Sequence, residues 1–359
     1  MPLGTKCMAK SLKTQSLLLT YSGELVTISL DSPLYIGLFP TGAYVSDFIM
    51  GVDIGGTKIE TTLYRVPKNK SDSSYEVITS KRMPTERDLG YDSVLERLAQ
   101  HIHKTLGEVN TSLSQLRGIG IGLPGTVHPE SLKMLNGNSE IFIQKSFAED
   151  LRNYLKEDIS IRLANDANLF ALAEVHHGAG KKFQQESNRN VHEQIAMGII
   201  LGTGNGGGLI LNGKIYEGRH GGGAEVGHHI LYNNGRPCYC GRNGCAEQYL
   251  CGPSIEKNYK EQTGKNLKAS EVFKLNDPIS TKIQNQYRKD LSEFLANLST
   301  LFDPDYFVLG GGISTIDAIY TDLEETLWQK VFLKGTKPRV YRHQVGDSAG
   351  VLGAAMLFN

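Results

Sequence analysis

Apolar and polar residues follow two periods along this chain, and the pattern becomes regular from Asp47 onward. Phe48–Ile54 is a mostly apolar run the length of one buried strand, and Gly55-Gly56-Thr57 closes it as a tight turn. Ile59–Val66 and Glu76–Lys81 read as further strands, so this stretch predicts a meander of three. In Tyr91–Leu106 the apolar positions Val94, Leu95, Leu98, Ile102 and Leu106 share one helical face. Leu116–Ile121 predicts a strand ending in Gly122-Leu123-Pro124-Gly125. Phe147–Leu155 predicts a helix, Ile159–Leu163 a strand and Asn168–His176 another helix.

The pattern then starts again. Gln194–Leu201 predicts a strand running into Gly202-Thr203-Gly204, and Gly208–Asn212 a second strand before a cysteine-rich loop. Ile283–Leu301 is helical, and Tyr306–Leu309 is a strand entering Gly310-Gly311-Gly312. A helix around Ile316–Val331, a strand at Arg339–Arg342 and a short helix from Gly350 follow. Each half therefore opens with a strand, a glycine turn and a strand, then alternates helices and strands. This predicts a duplicated α/β fold whose glycine turns face each other.

Length agrees with two lobes, since 359 residues exceed what one hydrophobic core usually serves. Residues 50–164 are expected as an N-terminal lobe, 165–345 as a C-terminal lobe and 346–359 as a helix returning to the first. Residues 1–49 lack the pattern and are either a small extra hairpin or a disordered arm. The expected native start lies at about residues 45–50, with the upstream stretch dispensable.

Charge narrows the partners. The 38 basic and 38 acidic side chains cancel, which gives no overall footprint for nucleic acid. No run approaches the roughly 20 apolar residues of a membrane helix. Ser16–Leu19 is too short for a secretion signal. A cytoplasmic protein with no membrane partner is the expectation.

The 40 glycines cluster in short runs, as where backbone must approach a ligand closely. Asp53-Ile-Gly55-Gly56-Thr57-Lys58 offers backbone N–H groups and a hydroxyl to phosphate, with a carboxylate placed for Mg²⁺. Alone it reads more readily as a hairpin turn. Gly202-Thr203-Gly204 at the equivalent place in the second half, and Gly310-Gly311-Gly312 after a third strand, favour a nucleotide site. Asn165-Asp166-Ala167-Asn168 follows a strand and opens a helix, so Asp166 is either a helix cap or a group in the crevice beyond the strand ends.

His228, Cys238, Cys240 and Cys245 fit a closed tetrahedral site of three thiolates and one imidazole, hence structural zinc. Gly241 and Gly244 supply sharp turns, His229 is a competing ligand and Cys251 reads as a core residue. Glu225 and Glu247 flank the loop, either as solvated glutamates or as readers of sugar hydroxyls.

In their order these motifs resemble the ROK sugar kinases, within the actin–hexokinase–Hsp70 ATPase superfamily, from about Met50 to the C-terminus. Glu225-Val-Gly-His228 and Cys238-Tyr-Cys-Gly-Arg-Asn-Gly-Cys245 carry the resemblance together with the turns above. It implies a duplicated actin-like (ribonuclease H-like) two-lobe fold, ATP as donor with Mg²⁺, a hexose as acceptor, and a homodimer. Asp166 would be the base at the sugar 6-hydroxyl. Asn138, Asn165, Glu225, His228 and Glu247 would bind sugar hydroxyls, with His228 also holding zinc. Asp53 would assist Mg²⁺, while Thr57, Thr203 and Gly202–Gly204 would face the phosphates.

Within the family, Arg162–Asn168 and Pro237–Gly241 look like fructokinase/mannokinase, and Phe170-Ala-Leu172 like N-acetylglucosamine kinase. The short interval from His228 to Cys238 resembles glucokinases and N-acetylmannosamine kinases. Fructose is the expected sugar, with N-acetylglucosamine kinase or glucokinase as the alternative. The family also includes sugar-responsive repressors, but residues 1–49 show no helix-turn-helix pattern. Because phosphoryl transfer has a loose transition state, the base need not have a raised pKa.

Overall fold

The computed structural model describes residues 16–21, 24–29, 47–66, 74–137, 139–335 and 337–358. The chain divides into two units, Met1–Val45 and Ser46–Asn359. In the first, β1 (Ser16–Tyr21) and β2 (Glu24–Ser29) pair antiparallel, with Tyr21 opposite Glu24. Of the two readings of this stretch, a hairpin is present. The apolar piece 34–39 lies outside the described residues.

The second unit holds two five-stranded sheets of the same topology. In one, β3 (Phe48–Ile54), β4 (Lys58–Arg65) and β5 (Glu76–Pro84) form the antiparallel meander. Beside β3 run the parallel strands β6 (Leu116–Leu123) and β9 (Ile161–Asn165). Between them in sequence lies a small hairpin, β7 (Gly125–Val127) with β8 (Met134–Gly137). In the other sheet, β10 (Ile195–Leu201), β11 (Asn205–Leu211) and β12 (Lys214–Ile215) are antiparallel. Parallel to β10 run β13 (Tyr306–Gly310) and β14 (Arg339–Arg342). All five residues of β13 are buried, as expected of a parallel strand covered on both faces.

Helices cover the sheets. α1 (Tyr91–Gly107) and α2 (Phe147–Leu155) pack on the first with the apolar stripe expected for α1. α3 (Asp166–His177) leaves β9 and is followed by α4 (Ala179–Ser187). The second sheet is backed by α5 (Glu247–Leu250), α6 (Gly252–Thr263), α7 (Ala269–Val272), α8 (Pro278–Phe302) and α9 (Leu323–Lys330). The single helix expected over Ile316–Val331 is broken. Asp317–Tyr320 forms a 3-10 turn, and Asp322 takes φ 53° before α9 begins.

The last helix, α10 (Ala349–Met356), lies on the first sheet. It approaches so closely that a Cβ on Gly51 would overlap the Val351 carbonyl, and one on Gly120 the Ala354 carbonyl. α3 is buried all along from Ala167 to Val175 because it packs on α10 and on β10 and β11. The buried Glu174 near its end accepts the N–H groups of Ala179 (3.2 Å), Gln344 (2.9 Å) and Val345 (2.8 Å). One carboxylate thus satisfies the backbone at the crossing from β14 back to α10.

Candidate active site

Three strand ends of the first sheet stand in register. Asp53 is opposite Gly122, Gly122 opposite Ala164, and Leu123 opposite Asn165. Groups at the carboxyl ends of β3, β6 and β9 therefore share one edge, where α/β sheets bind ligands.

The Asp53 carboxylate sits against the Cα positions of Gly122 and Gly350, and a Cβ on Gly350 would lie 2.6 Å from its Oδ2. Burial, and then the charge of Glu60, push its pKa up to about 6, against a smaller opposing effect of Lys58. The Gly55–Thr57 turn is held from behind by buried Thr85. The Thr85 hydroxyl donates to Gly55 O (2.7 Å), and its N–H donates to Thr57 O (3.0 Å). Gly56, Thr57 and Lys58 remain exposed.

At the end of β9 the helix cap is Asn165, not Asp166. Asn165 Oδ1 accepts from Ala167 N (2.9 Å) and Asn168 N (3.3 Å), and its Nδ2 donates to Gly125 O (3.2 Å). Asp166 is the first residue of α3, and Ala167 N–H donates to its Oδ1 at 2.8 Å. Burial raises its pKa to about 7, aided by the charges of Asp53 and Glu225 and opposed by the Ala167 N–H. A loose transition state does not require this shift, which the burial of Asp166 produces.

The two other glycine turns lie side by side, since Ile200 pairs with Gly310 across β10 and β13. Gly311, at φ 80°, rests on the Leu201 carbonyl, where a Cβ would lie 2.5 Å from the oxygen. Asn205 N–H donates to Glu247 Oε2 at 3.0 Å, and a Cβ on Gly204 would meet the same oxygen at 2.7 Å. Glu247 therefore adjoins the Gly202–Gly204 turn as well as the cysteine loop.

Glu225 precedes a 3-10 turn, Val226–His228. Its Oε1 accepts the Thr126 hydroxyl at 2.5 Å. His228 Nδ1 lies 3.6 Å from Cys238 Sγ, while its Nε2 is 3.1 Å from the Tyr239 hydroxyl. Cys240 Sγ and Cys245 Sγ are 3.6 Å apart. The ligand atoms of His228, Cys238, Cys240 and Cys245 all lie within 4.8 Å of one another. A tetrahedron of thiolates about zinc has edges of about 3.8 Å, so the donor set and its spacing fit that ion. His229 lies outside this group with its ring against Phe294, and Cys251 Sγ contacts Ser254 Oγ.

Asn138 lies outside the described residues. The electrostatics of Asp166 bring it together with Asp53 and Glu225, and those of Tyr239 bring it together with Glu225 and Glu247. Sequence reasoning missed Thr85, Thr126 and Tyr239. Thr85 and Thr126 act through long-range hydrogen bonds and Tyr239 sits among the candidate metal ligands, and none has a spacing signal of its own. A cavity of about 600 Å³ beside Phe183, Arg189, Thr300 and Phe332 includes none of the site residues.

The sequence model of the ROK family matches residues 49–359. The chain belongs to the ROK family. N-acetyl-D-glucosamine kinase of Pectobacterium atrosepticum is 32% identical over 320 residues, which cover 86% of this chain and 97% of that relative. A ROK hexokinase from Thermus thermophilus has the same fold with a TM-score of 0.72 at 27% identity, over 86% of this chain and 97% of that one. A ROK transcriptional regulator, a homologue of the E. coli MLC protein, shares the fold at a TM-score of 0.71 and 20% identity, over 87% of this chain and 77% of its own. The ROK relatives thus favour the amino-sugar alternative over fructokinase, and the duplicated actin-like fold is the one the motifs imply.

Proposed function

We propose that this ROK enzyme is an ATP-dependent N-acetyl-D-glucosamine kinase that transfers the γ-phosphoryl group to the sugar 6-hydroxyl. The observation that carries the reading is the setting of Asp166. It stands just beyond the end of β9, next to the capping Asn165, with its pKa pushed up to about 7. A proton acceptor poised there can orient an attacking hydroxyl and take its proton at neutral pH. The N-acetyl-D-glucosamine kinases at 32% identity support the choice of sugar.

In this reading Asn165 holds Asp166 in place and keeps one amide hydrogen for a sugar hydroxyl. Glu225, His228 Nε2, Glu247 and Asn138 receive the others. The turns Gly55–Lys58 and Gly202–Gly204 face the phosphates, and Gly310–Gly312 lies beneath the adenosine. Asp53 is the residue to hold Mg²⁺, which neutralises charge on the phosphate oxygens. His228, Cys238, Cys240 and Cys245 hold structural zinc and thereby fix the segments of Glu225 and Glu247. Closure of the two sheets around the sugar excludes water that would compete for the phosphoryl group. The enzyme acts as a cytoplasmic homodimer.

A coupled ADP-release assay over N-acetylglucosamine, N-acetylmannosamine, glucose, mannose and fructose tests the proposal. N-acetylglucosamine should give the highest kcat/KM. Fructose ahead by about tenfold would return the sugar to the first expectation, a difference of about 1.4 kcal/mol in transition-state binding. No sugar-dependent ADP release, with a gel shift on DNA, would replace the enzyme with a regulator.

A further inference from the structure

The hydroxyl of Thr126 joins two parts of the site that are 99 residues apart. Thr126 belongs to β7, which pairs with β8 beside the first sheet, whereas Glu225 follows β12 of the second. Thr126 is 4% exposed, while Glu225 is exposed. A carboxylate cannot donate, so the direction of the bond is fixed. The Thr126 hydroxyl donates its hydrogen to Glu225 Oε1.

The residue before it makes the second link. Gly125 O accepts from Asn165 Nδ2 at 3.2 Å, and Asn165 caps the helix that Asp166 begins. Two consecutive residues therefore hold both the cap that precedes Asp166 and the carboxylate of Glu225. The span between them is a single peptide unit, which is the stiffest spacer a chain offers. The hairpin itself is pinned from other sides. Thr126 N–H donates to Asn136 Oδ1 at 3.3 Å, and Gly221 at φ 82° lies under the Val127 carbonyl.

We infer that Thr126 is a positioning residue for sugar binding, orienting Glu225 so that its second oxygen meets a sugar hydroxyl at a fixed distance from Asp166. This rests on the kinase reading, in which Glu225 touches the sugar. The bond is a poor device for stability. Without it the exposed Glu225 carboxylate is hydrated by water, and a valine methyl fills the place of the hydroxyl. It is a good device for recognition, because a carboxylate aimed in advance gives up less freedom when the sugar arrives.

The test compares wild type with Thr126→Val, Thr126→Ala and Thr126→Ser in steady-state assays and melting curves. Losing a charge-assisted hydrogen bond should raise the sugar KM of Thr126→Val by about tenfold or more, with a smaller fall in kcat. The ATP KM should stay within about threefold and the Tm within about 2 °C, because valine is nearly isosteric with threonine and the freed carboxylate is solvated. Thr126→Ser should return the sugar KM to within about threefold of wild type, since it keeps the donor. Thr126→Ala carries the same expectation if valine does not fold. A sugar KM for Thr126→Val near wild type would overturn the inference, as would Thr126→Ser behaving like valine, or both KM values rising together with a lowered Tm. A wild-type protein that consumes no ATP with any sugar would instead sink the kinase reading, and this inference with it.

Discussion

Asn165 caps α3, its side-chain oxygen accepting from Ala167 N (2.9 Å) and Asn168 N (3.3 Å), while its neighbour Asp166 shares only the Ala167 N–H (2.8 Å). Both residue types are good caps, so adjacency alone leaves the assignment open. The structure settles it in favour of Asn165. Asparagine at Asp166 keeps an oxygen to accept the Ala167 N–H, so that substitution tests chemistry with little risk to the helix.

Asp166→Asn should lower turnover by at least about a hundredfold, the usual contribution of a general base. Sugar affinity should change far less, because Glu225 and Glu247 remain. Stability should move the other way. The folded pKa of Asp166 is raised to about 7 from an ordinary 3.8. A raised acid stabilises the fold fully below its unfolded pKa, and that contribution is lost as pH rises through the folded value. Asparagine does not ionise, so the variant's Tm advantage over wild type should grow from pH 5 to pH 8 in protein free of nucleotide. A folded variant turning over within about tenfold of wild type would remove Asp166 from the chemistry.

The same pKa sets the pH dependence of the reaction. Protonated Asp166 cannot accept the hydroxyl proton, so kcat/KM should climb with pH up to about 7 and level off above it. Burial is the larger cause and the charge of Asp53 the next. A profile flat between about pH 5.5 and 8.5 would show that Asp166 does not titrate in the free enzyme.

What could be read from the chain follows how far apart the interacting residues lie. The cysteine loop is local, with all four candidate ligands between His228 and Cys245, and their donor atoms cluster as the spacing implies. The glycine turns were legible because each follows a strand, and β10 and β13 do bring two of them together. The β7–β8 hairpin was not, since Gly125-Thr126-Val127 is too short to show a period. Its role comes from Glu225, and no pattern joins residues 99 apart. The raised pKa of Asp166 has the same origin, in burial and in charges from Asp53 and Glu225 on other elements.

Zinc removal should act on placement alone. Cys240→Ser replaces one of four donors, and none of these four performs the transfer in the proposed reaction. Activity should nevertheless fall by about tenfold to a hundredfold, the usual effect of loosening a metal site's supports. Gly244 shows how tightly the loop is packed. It sits at φ 83°, and a Cβ there would overlap the Tyr232 carbonyl. Metal analysis should find about one zinc per chain in wild type and less in the variant, with a lower Tm. Active wild-type enzyme without zinc would defeat the assignment.

The remaining prediction concerns the first unit. The chain divides between Val45 and Ser46, and the family match begins at residue 49. The first strand of the sheet that carries Asp53 begins at Phe48. Its partners β4 and β6, and the helix α10 that covers it, all lie in the second unit. The second unit also contains every described residue assigned here to sugar, nucleotide or zinc. A protein starting at Ser46, with an initiating methionine, should therefore fold with a Tm within about 2 °C of the full chain. Its kcat and both KM values should be unchanged. Melting curves and the coupled assay on the two proteins measure this directly. Insolubility, or a fall of about tenfold in kcat/KM, would show that the first unit supports the kinase and is no dispensable arm.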